Sequence, residues 1–438
     1  MTPSELSIAF FLQMLVIIGA CRIVGFIARR FLGQPQVVGE MIAGVVLGPS
    51  LFGLLAPEVQ AWVFPPESRS ILFVVAQLGV GLYMFIVGLG FRTSHFRSNA
   101  RSAGAVSLSG IAAPFLVAVA LTPWLLQTPG LFAPEITTAE ATLFMGACIA
   151  ITAFPMLARI IHERGISGSP LGTLSLSAGA VDDAAAWMVL AIVLASFGDG
   201  PRVAVLAIGG GVAFAVFMIT LGPRLLAPLG RRAEREGKVS TQVLAITLML
   251  FMASAWLMDF IGIHAVFGGF ILGAVMPRGF LADELRKMLE PFTVVVLLPT
   301  FFTFSGLNTQ LTLVTDITLV EITAVILVGS ILAKGGACWA AARLTGHDNR
   351  TAMGIGALMN ARGLMELIII NIGLQRGIIE PALFSIMVLM AIVTTLMASP
   401  LFELVYGRWA RARGELGQLG DESSEAPRGR PAEPLGPG

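Results

Sequence analysis

The sequence is poor in charge, and that scarcity excludes most soluble proteins. Only 13% of its 438 residues are charged, and 56% are hydrophobic, whereas a typical soluble protein has about 25% charged residues. The mean hydropathy is +0.85. Basic clusters with interleaved aromatic residues, which would favour nucleic-acid binding, are also missing. We therefore predict an all-α protein that crosses the lipid bilayer many times and has no nucleic-acid partner.

Cysteine is scarce as well. The three cysteines, Cys21, Cys148 and Cys338, all fall in apolar segments, and no CxxC spacing occurs. This pattern predicts small buried thiols rather than a disulfide or a metal site. The sequence also lacks a His-x-x-x-His metal pattern and a Gly-x-Ser-x-Gly nucleophile elbow. We predict that the chain is not an enzyme and that it needs no cofactor.

Lysine is the rarest basic residue, because arginine supplies 25 of the 28. Lys238 and Lys287 fall in polar connections, whereas Lys334 falls inside an apolar span. Arginine keeps its proton under physiological conditions, but the pKa of a buried lysine can move. Lys334 therefore indicates a site that uses this property. The alternative is that its side chain reaches out to the membrane interface.

Long apolar runs make up most of the chain. Windows of about 20 apolar residues predict thirteen membrane segments: 7–30, 36–55, 70–90, 102–125, 140–162, 170–197, 203–222, 240–260, 263–276, 288–307, 318–342, 351–373 and 382–405. Basic residues are concentrated in the connections that follow odd-numbered segments. By the positive-inside rule those connections are cytoplasmic. The amino terminus is then outside and the carboxyl terminus inside.

An odd number of segments with a charged hinge at 226–240 suggests two halves joined by a linking span. We predict a membrane domain over residues 1–412, with a six-helix repeat at about 7–197, a linking helix at about 203–222 and a second repeat at about 240–405. The halves would be inverted repeats, a common transporter plan. Residues 413–438 are rich in Pro, Gly and Glu, which predicts a disordered cytoplasmic tail.

The fifth span of each half has a sequence that interrupts a helix. Segment five contains Thr152 and Pro155, and proline removes a helical hydrogen bond and displaces the axis. Segment twelve contains three glycines within residues 354–363, together with Asn360, Arg362 and Glu366. Irregular backbone at membrane depth is tolerated where it lines a cavity or is buried in protein. Two broken spans at matching positions predict a binding site between them.

Segment six carries the adjacent carboxylates Asp182 and Asp183. A charged side chain at the bilayer centre costs roughly 2.5–3.5 kcal/mol on insertion scales. Neighbouring helical residues point about 100° apart, so one carboxylate can line a cavity while the other meets a partner. Lys334 is the preferred partner. Arg362 and Glu366, four residues apart, can pair on one helix face.

The sequence alone does not decide the roles of two other polar residues. Glu40 begins a short glycine-rich span, where it is either an anion near a helix amino terminus or a cavity-lining group. His264 opens segment nine, where a hydrogen-bonded packing histidine is favoured over a pH sensor.

These motifs resemble one known family, the monovalent cation/proton antiporters, in the branch of Kef-type and plant cation/proton exchangers. The resemblance covers about residues 8–405 and rests on five stretches: Val37–Ser50, Thr152–Ile160, Asp182–Asp183, Gly262–Gly268 and Asn360–Leu367. It implies a sodium/proton antiporter-like fold, with a dimerisation domain, a six-helix core and two crossed broken helices. Two departures are expected to matter. Gly90 stands where the family usually has Glu, and the cytosolic nucleotide-binding domain of Kef systems is missing.

By position, the resemblance implies that Asp183 binds the cation and the proton. It also implies that Asp182 is the partner of Lys334 and that Thr152 is the polar group at the first crossover. The expected function is antiport of K⁺ or Na⁺ against H⁺ by alternating access, in a homodimer in the plasma or inner membrane. A proton-coupled solute symporter is the alternative, and a passive cation channel is less favoured because no pore-loop motif occurs. Cation selectivity and stoichiometry stay open.

Overall fold

The computed structural model describes residues 2–32, 34, 36–90, 100–164, 166, 169–196, 201–261, 265–313 and 316–412. The described residues form helices and connections, without a named β-strand. The first helices are α1 (Pro3–Leu32), α2 (Gln36–Leu47), α3 (Phe52–Leu55), α4 (Pro57–Val63), α5 (Arg69–Gly90), α6 (Ala100–Leu125), α7 (Thr138–Ala150), α8 (Phe154–Glu163), α9 (Pro170–Ser196) and α10 (Pro201–Thr220).

The second half of the chain continues the same pattern. Its helices are α11 (Gly222–Glu236), α12 (Thr241–Phe260), α13 (Ala265–Val275), α14 (Phe280–Phe292), α15 (Leu298–Leu307), α16 (Ile317–Ile331), α17 (Ala337–Leu344), α18 (Asn349–Met359), α19 (Leu364–Gln375), α20 (Pro381–Phe402) and α21 (Arg408–Ala412). Three π-helical turns join consecutive helices at Thr293–Leu297, Leu332–Gly336 and Glu403–Gly407.

Helical segments lie at all thirteen predicted positions. Within the described ranges, eight helical segments are long and apolar enough to cross a membrane, and nine if the bent pair α10–α11 counts as one. The all-helical membrane fold is therefore confirmed, whereas the count of thirteen spans and the repeat boundaries stay predictions. The tail at 413–438 and His264 lie outside the described residues.

The helices pack in two groups. In the first, α5 packs on α13 and α15, α2 packs on α1 and α15, and α12 packs on α13. In the second, α6 packs on α7 and α9, α18 packs on α17 and α20, and α19 packs on α20. The second group holds segments four to six and eleven to thirteen, including both segments with interrupting sequences.

Close backbone contact holds the first group together. A Cβ placed on Gly306 would overlap the carbonyl oxygen of Gly44, and one placed on Gly273 would overlap that of Phe85. Only glycine allows two helices to approach this closely. The glycine content of segments two and nine is thereby explained by helix packing.

Two sequence predictions need correction. The charged hinge at 226–240 is mostly the helix α11, because its basic residues alternate with buried Leu226, Gly230 and Ala233. Lys287 lies in α14 and not in a connection, since the pattern of buried and exposed residues continues through it. Within segment eleven, Leu332–Gly336 forms a π turn, which the sequence did not indicate.

Candidate functional site

Two broken helices meet in the second group. The helix α7 ends at Ala150, the backbone is non-helical at residues 151–153, and α8 follows. The helix α18 ends at Met359, and α19 begins after Gly363. The backbone N–H of Ala153 donates to the carbonyl of Ala361 at 3.1 Å, which joins the two breaks directly. Both interruptions occur in the predicted stretches, Ile151–Pro155 and Asn360–Gly363.

Asp182 lies beside this crossing and is 1% exposed. Its Oδ1 accepts a hydrogen bond from Ser107 Oγ at 2.5 Å, and its Oδ2 lies 2.5 Å from Lys334 Nζ. The hydroxyl of Thr152 lies 3.0 Å from Asp182 Oδ2 and 3.0 Å from the carbonyl of Met359. Both carboxylate oxygens are therefore hydrogen-bonded, as buried polar groups usually are.

Lys334 is fully buried, so its side chain does not reach the membrane interface. Besides Asp182, its ammonium group donates to the carbonyl of Ala150, the last residue of α7. The π turn Leu332–Gly336 carries Lys334, and such turns are frequent at functional sites. The predicted contact between Lys334 and Asp182 is present, and its role stays a prediction.

Arg362 is a second buried cation at the same helix end. Its guanidinium donates to the carbonyls of Cys148 and Ile149, each at 2.8 Å. Lys334 and Arg362 thus bind three consecutive carbonyls at the carboxyl end of α7. A helix carries partial negative charge at that end, which cations stabilise.

Glu366 faces Arg362 as the spacing predicted. Its Oε1 lies 3.4 Å from the guanidinium, and both side chains are fully buried. Neither Glu366 oxygen has a hydrogen-bond partner within the described ranges. Asn360, one position after α18, donates to the carbonyl of Gly356 at 3.0 Å and lies against Gly335 in the Lys334 turn.

The structure adds two residues that the sequence did not single out. Ser107 is the partner of Asp182 Oδ1, and Thr395 is bonded to the backbone N–H and carbonyl of Arg362 at 3.2 and 2.9 Å. Both are hydroxyl residues within apolar spans. Such residues usually bond to the helix carbonyl one turn back, so sequence alone gives no partner for them.

Other predicted residues are less completely placed. The side chains of Asp183 and Pro155 lie outside the described residues, although both backbones lie within helices, α9 and α8. Glu40 is buried on α2, where Gln36 donates to it at 3.1 Å and Arg22 of α1 lies 3.9 Å away. The structure therefore places Glu40 in a contact between helices.

Taken together, the described site is a buried set of two acids and two bases around one half-helix end. Asp182, Lys334, Arg362 and Glu366 are each 0–1% exposed. Their formal charges balance, so the cluster can stay in the membrane interior without a counter-ion.

Known proteins match most of the length of this chain. Residues 15–405 match the family model described as "Sodium/hydrogen exchanger, transmembrane". The chain is 39% identical over 402 residues to the Na(+)/H(+) antiporter NhaS4 of Synechocystis sp., a match that covers 90% of this chain and 96% of that protein. It is 33% identical over 401 residues to Cation/H(+) antiporter 17 of Arabidopsis thaliana. That match covers 90% of this chain and 48% of the plant protein, so the chain spans about half of the plant protein's length.

A solved structure shares the fold. The sodium proton antiporter MjNhaP1 from Methanocaldococcus jannaschii superposes with a TM-score of 0.62, covering 95% of this chain and 100% of that one. The two sequences are 16% identical, so the likeness bears on the fold alone.

Proposed function

This chain belongs to the sodium/hydrogen exchanger family, and we propose that it exchanges a monovalent cation, Na⁺ or K⁺, for protons across a membrane. The observation that carries the proposal is the fully buried Lys334–Asp182 pair beside two crossing broken helices. A buried ion pair is a weak source of stability, and irregular backbone at membrane depth usually lines a transport path. Cation/proton exchange explains why the chain has both a buried ion pair and two broken helices.

In the proposed mechanism Asp183 is the exchanging carboxylate. It follows Asp182 on α9, so its side chain starts about 100° away from that of Asp182. A cation and a proton compete for this one carboxylate, and only the occupied or protonated form crosses to the other side. Thr152, at the crossing, offers a hydroxyl oxygen to the cation. The ion pair between Asp182 and Lys334 maintains the shape of the site.

Alternating access would come from movement of one helix group against the other. The second group holds the crossing, the ion pair and α9, whereas the first group is joined by glycine contacts and forms a rigid frame. We propose that the first group also forms the contact of a homodimer. The protein would lie in the plasma or inner membrane, with its amino terminus outside and its carboxyl terminus inside.

The test uses purified full-length protein in proteoliposomes with a pH-sensitive dye. An imposed pH gradient should be dissipated on addition of Na⁺ or K⁺, and trials with each alkali cation in turn identify the substrate. Asp183→Asn should abolish this signal, because an amide neither titrates nor neutralises a cation. Glu321→Gln is the matched control, since Glu321 is an exposed carboxylate on α16. It should transport like the wild type.

Two results would contradict the proposal. Cation-dependent proton movement at wild-type rate in Asp183→Asn would remove Asp183 from the mechanism. Cation flux that continues without any counter-movement of protons would indicate a channel instead of an exchanger.

A further inference from the structure

The helix α11 carries a strongly basic surface that the exchange mechanism does not use. Residues 222–238 contain two acidic residues, Glu234 and Glu236, and five basic ones: Arg224, Arg231, Arg232, Arg235 and Lys238. All five basic residues are exposed. A basic amphipathic helix next to a membrane span is the usual form of a surface that meets anionic lipid.

The helix α11 follows directly on the apolar helix α10. The helix turns by 47° from the second half of α10, an apolar segment. Its buried side, which includes Leu226 and Gly230, packs on the first helix group, and Gly230 lies against Pro277. The helix is therefore fixed to the protein by one side, and the opposite side is free to bind.

Three arginines form a site on that free side. Arg231, Arg232 and Arg235 line one surface depression, together with Pro228 and Glu236. Arg232 is held in place, because it donates to Glu236 at 2.7 Å and to Gln242 at 2.5 Å. In the described part of the chain, Arg231 and Arg235 have no ion-pair partner. Their charge is available to an anion, and guanidinium groups suit phosphate oxygens.

Apolar side chains continue from this depression toward the span. Leu221 and Leu225 are 43% and 62% exposed, and the spacing Leu225, Pro228, Arg232 places hydrocarbon and charge along one side of the helix. A free phosphate would use only the arginines. An amphiphile with a phosphate head and hydrocarbon tails fits both parts.

The neighbouring helix α14 offers a comparison with α11. Its basic residues are neutralised within the helix, Arg286 by Glu290 at 2.8 Å and Lys287 by Glu284 at 2.6 Å. The two helices pack together, so they sit in the same environment. Of these two helices, as the structure describes them, α11 alone presents basic residues without an ion pair.

We propose that α11 binds the headgroup of an anionic phospholipid, with the phosphate between Arg231, Arg232 and Arg235 and the acyl chains along Leu225 and Leu221. This proposal does not rest on ion exchange, only on the chain being in a membrane. Binding would fix the turn between α10 and α11 against the lipid surface.

The experiment measures lipid binding by native mass spectrometry of the full-length protein in detergent, with added phosphatidylglycerol or phosphatidylcholine. Each surface arginine contributes about a fivefold gain in affinity for anionic lipid. The variant R231Q/R232Q/R235Q should therefore bind phosphatidylglycerol about 100-fold more weakly than the wild type. The matched control R286Q/K287Q removes two positive charges from α14 and should change the affinity less than twofold. All five substitutions are at surface positions, and thermal unfolding without lipid checks that both variants are folded.

Four results would overturn the proposal. These are unchanged affinity in the triple variant, equal loss in the control, phosphatidylcholine binding as tight as phosphatidylglycerol binding, and displacement of the lipid by equimolar inorganic phosphate. The last result would indicate a soluble anion or an acidic protein as the ligand. Loss in the triple variant alone, restricted to phosphatidylglycerol, supports the lipid site. None of these measurements involves transport, so their failure leaves the exchange proposal intact.

Discussion

Two buried ion pairs meet the same end of α7, and they differ in how their carboxylates are bound. Asp182 accepts hydrogen bonds on both oxygens, from Ser107 on one side and from Lys334 on the other. Among the residues that the structure describes, none donates a hydrogen bond to Glu366, whose Oε1 lies 3.4 Å from the Arg362 guanidinium. Arg362 instead uses its hydrogen bonds on backbone carbonyls. The comparison indicates that Lys334–Asp182 works as a two-sided brace, whereas Arg362 works mainly as a cap and Glu366 as its counter-charge.

The largest expected effect comes from breaking the brace. Removing one partner of a buried ion pair leaves an uncompensated charge, which costs about 3–5 kcal/mol. Asp182→Ala and Lys334→Ala should each lower the stability in detergent by this amount. The double variant should recover part of the loss, because neither charge is then left alone. Thermal unfolding of the four proteins measures the coupling, and strictly additive losses would show that the two residues do not interact.

The second pair should respond unequally to its two substitutions. Arg362→Ala leaves two buried carbonyls without donors and should cost about 3 kcal/mol, in the range of hydrogen bonds to charged groups. Glu366→Gln leaves Arg362 without its counter-charge, but the guanidinium keeps its two carbonyl hydrogen bonds and the partial negative charge of the helix end, so the loss should be smaller, about 1 kcal/mol. The same unfolding assay checks both. Equal losses would contradict the assignment of Arg362 as a cap.

A third test asks whether Lys334 carries a proton or only braces Asp182. Arginine keeps the positive charge but does not give up a proton. We favour the brace, so Lys334→Arg should keep the wild-type dependence on membrane potential, with a shifted pH optimum. A stability loss of about 1–3 kcal/mol is expected from overpacking, because Lys334 already lies close to Gly110 and Cys338. Sodium transport in proteoliposomes, with the potential clamped or not clamped by potassium and valinomycin, measures the effect. A wild type that generates a potential by itself, beside an arginine variant that does not, would favour the proton carrier.

The smallest effect is expected at an exposed acid that lies outside the membrane segments. Asp348 caps α18 by accepting from the backbone N–H groups of Arg350 and Thr351. Partial burial opposes its ionisation, but the hydrogen bonds from Thr351 and Arg350 outweigh this and lower the pKa of Asp348 below its ordinary 3.8. A depressed pKa contributes stability that is present above the ordinary value and is lost as the pH falls through the folded one. Asp348→Ala should therefore cost about 1 kcal/mol at neutral pH, and the difference from the wild type should shrink as the pH falls below 3.8. A difference in stability that stays constant as the pH is lowered would contradict the cap.

Sequence reasoning reached the charged residues and the broken spans because membrane burial makes both conspicuous. Asp182, Lys334, Arg362 and Glu366 are rare residue types in apolar segments, and proline or clustered glycine marks a break. The pairing of Lys334 with Asp182 was predicted because the two acids of segment six otherwise lacked an opposite charge. These inferences use only local composition, which can be read directly from the sequence.

Other features depend on three-dimensional neighbours and could not be read from the chain. Ser107 lies 75 residues from Asp182, and its surroundings are ordinary for an apolar helix. Every residue has a backbone carbonyl, so no sequence pattern identifies those of Ala150 and Cys148 as the ones that Lys334 and Arg362 bind. The helical nature of α11 was missed because its many arginines resemble a loop until the buried residues on its other side are known.

The π turn at Leu332–Gly336 has a consequence for chain length. A π turn accommodates one residue more than an α turn, with each hydrogen bond reaching one position further. Deleting a single residue from this stretch would remove the extra residue and let the helix continue as α, so that α16 and α17 keep their orientations. The side chains within the turn, Lys334 among them, would shift about the helix axis, and the ammonium group would move relative to Asp182. Spacing along the backbone therefore specifies the ion pair as firmly as the identity of its two side chains.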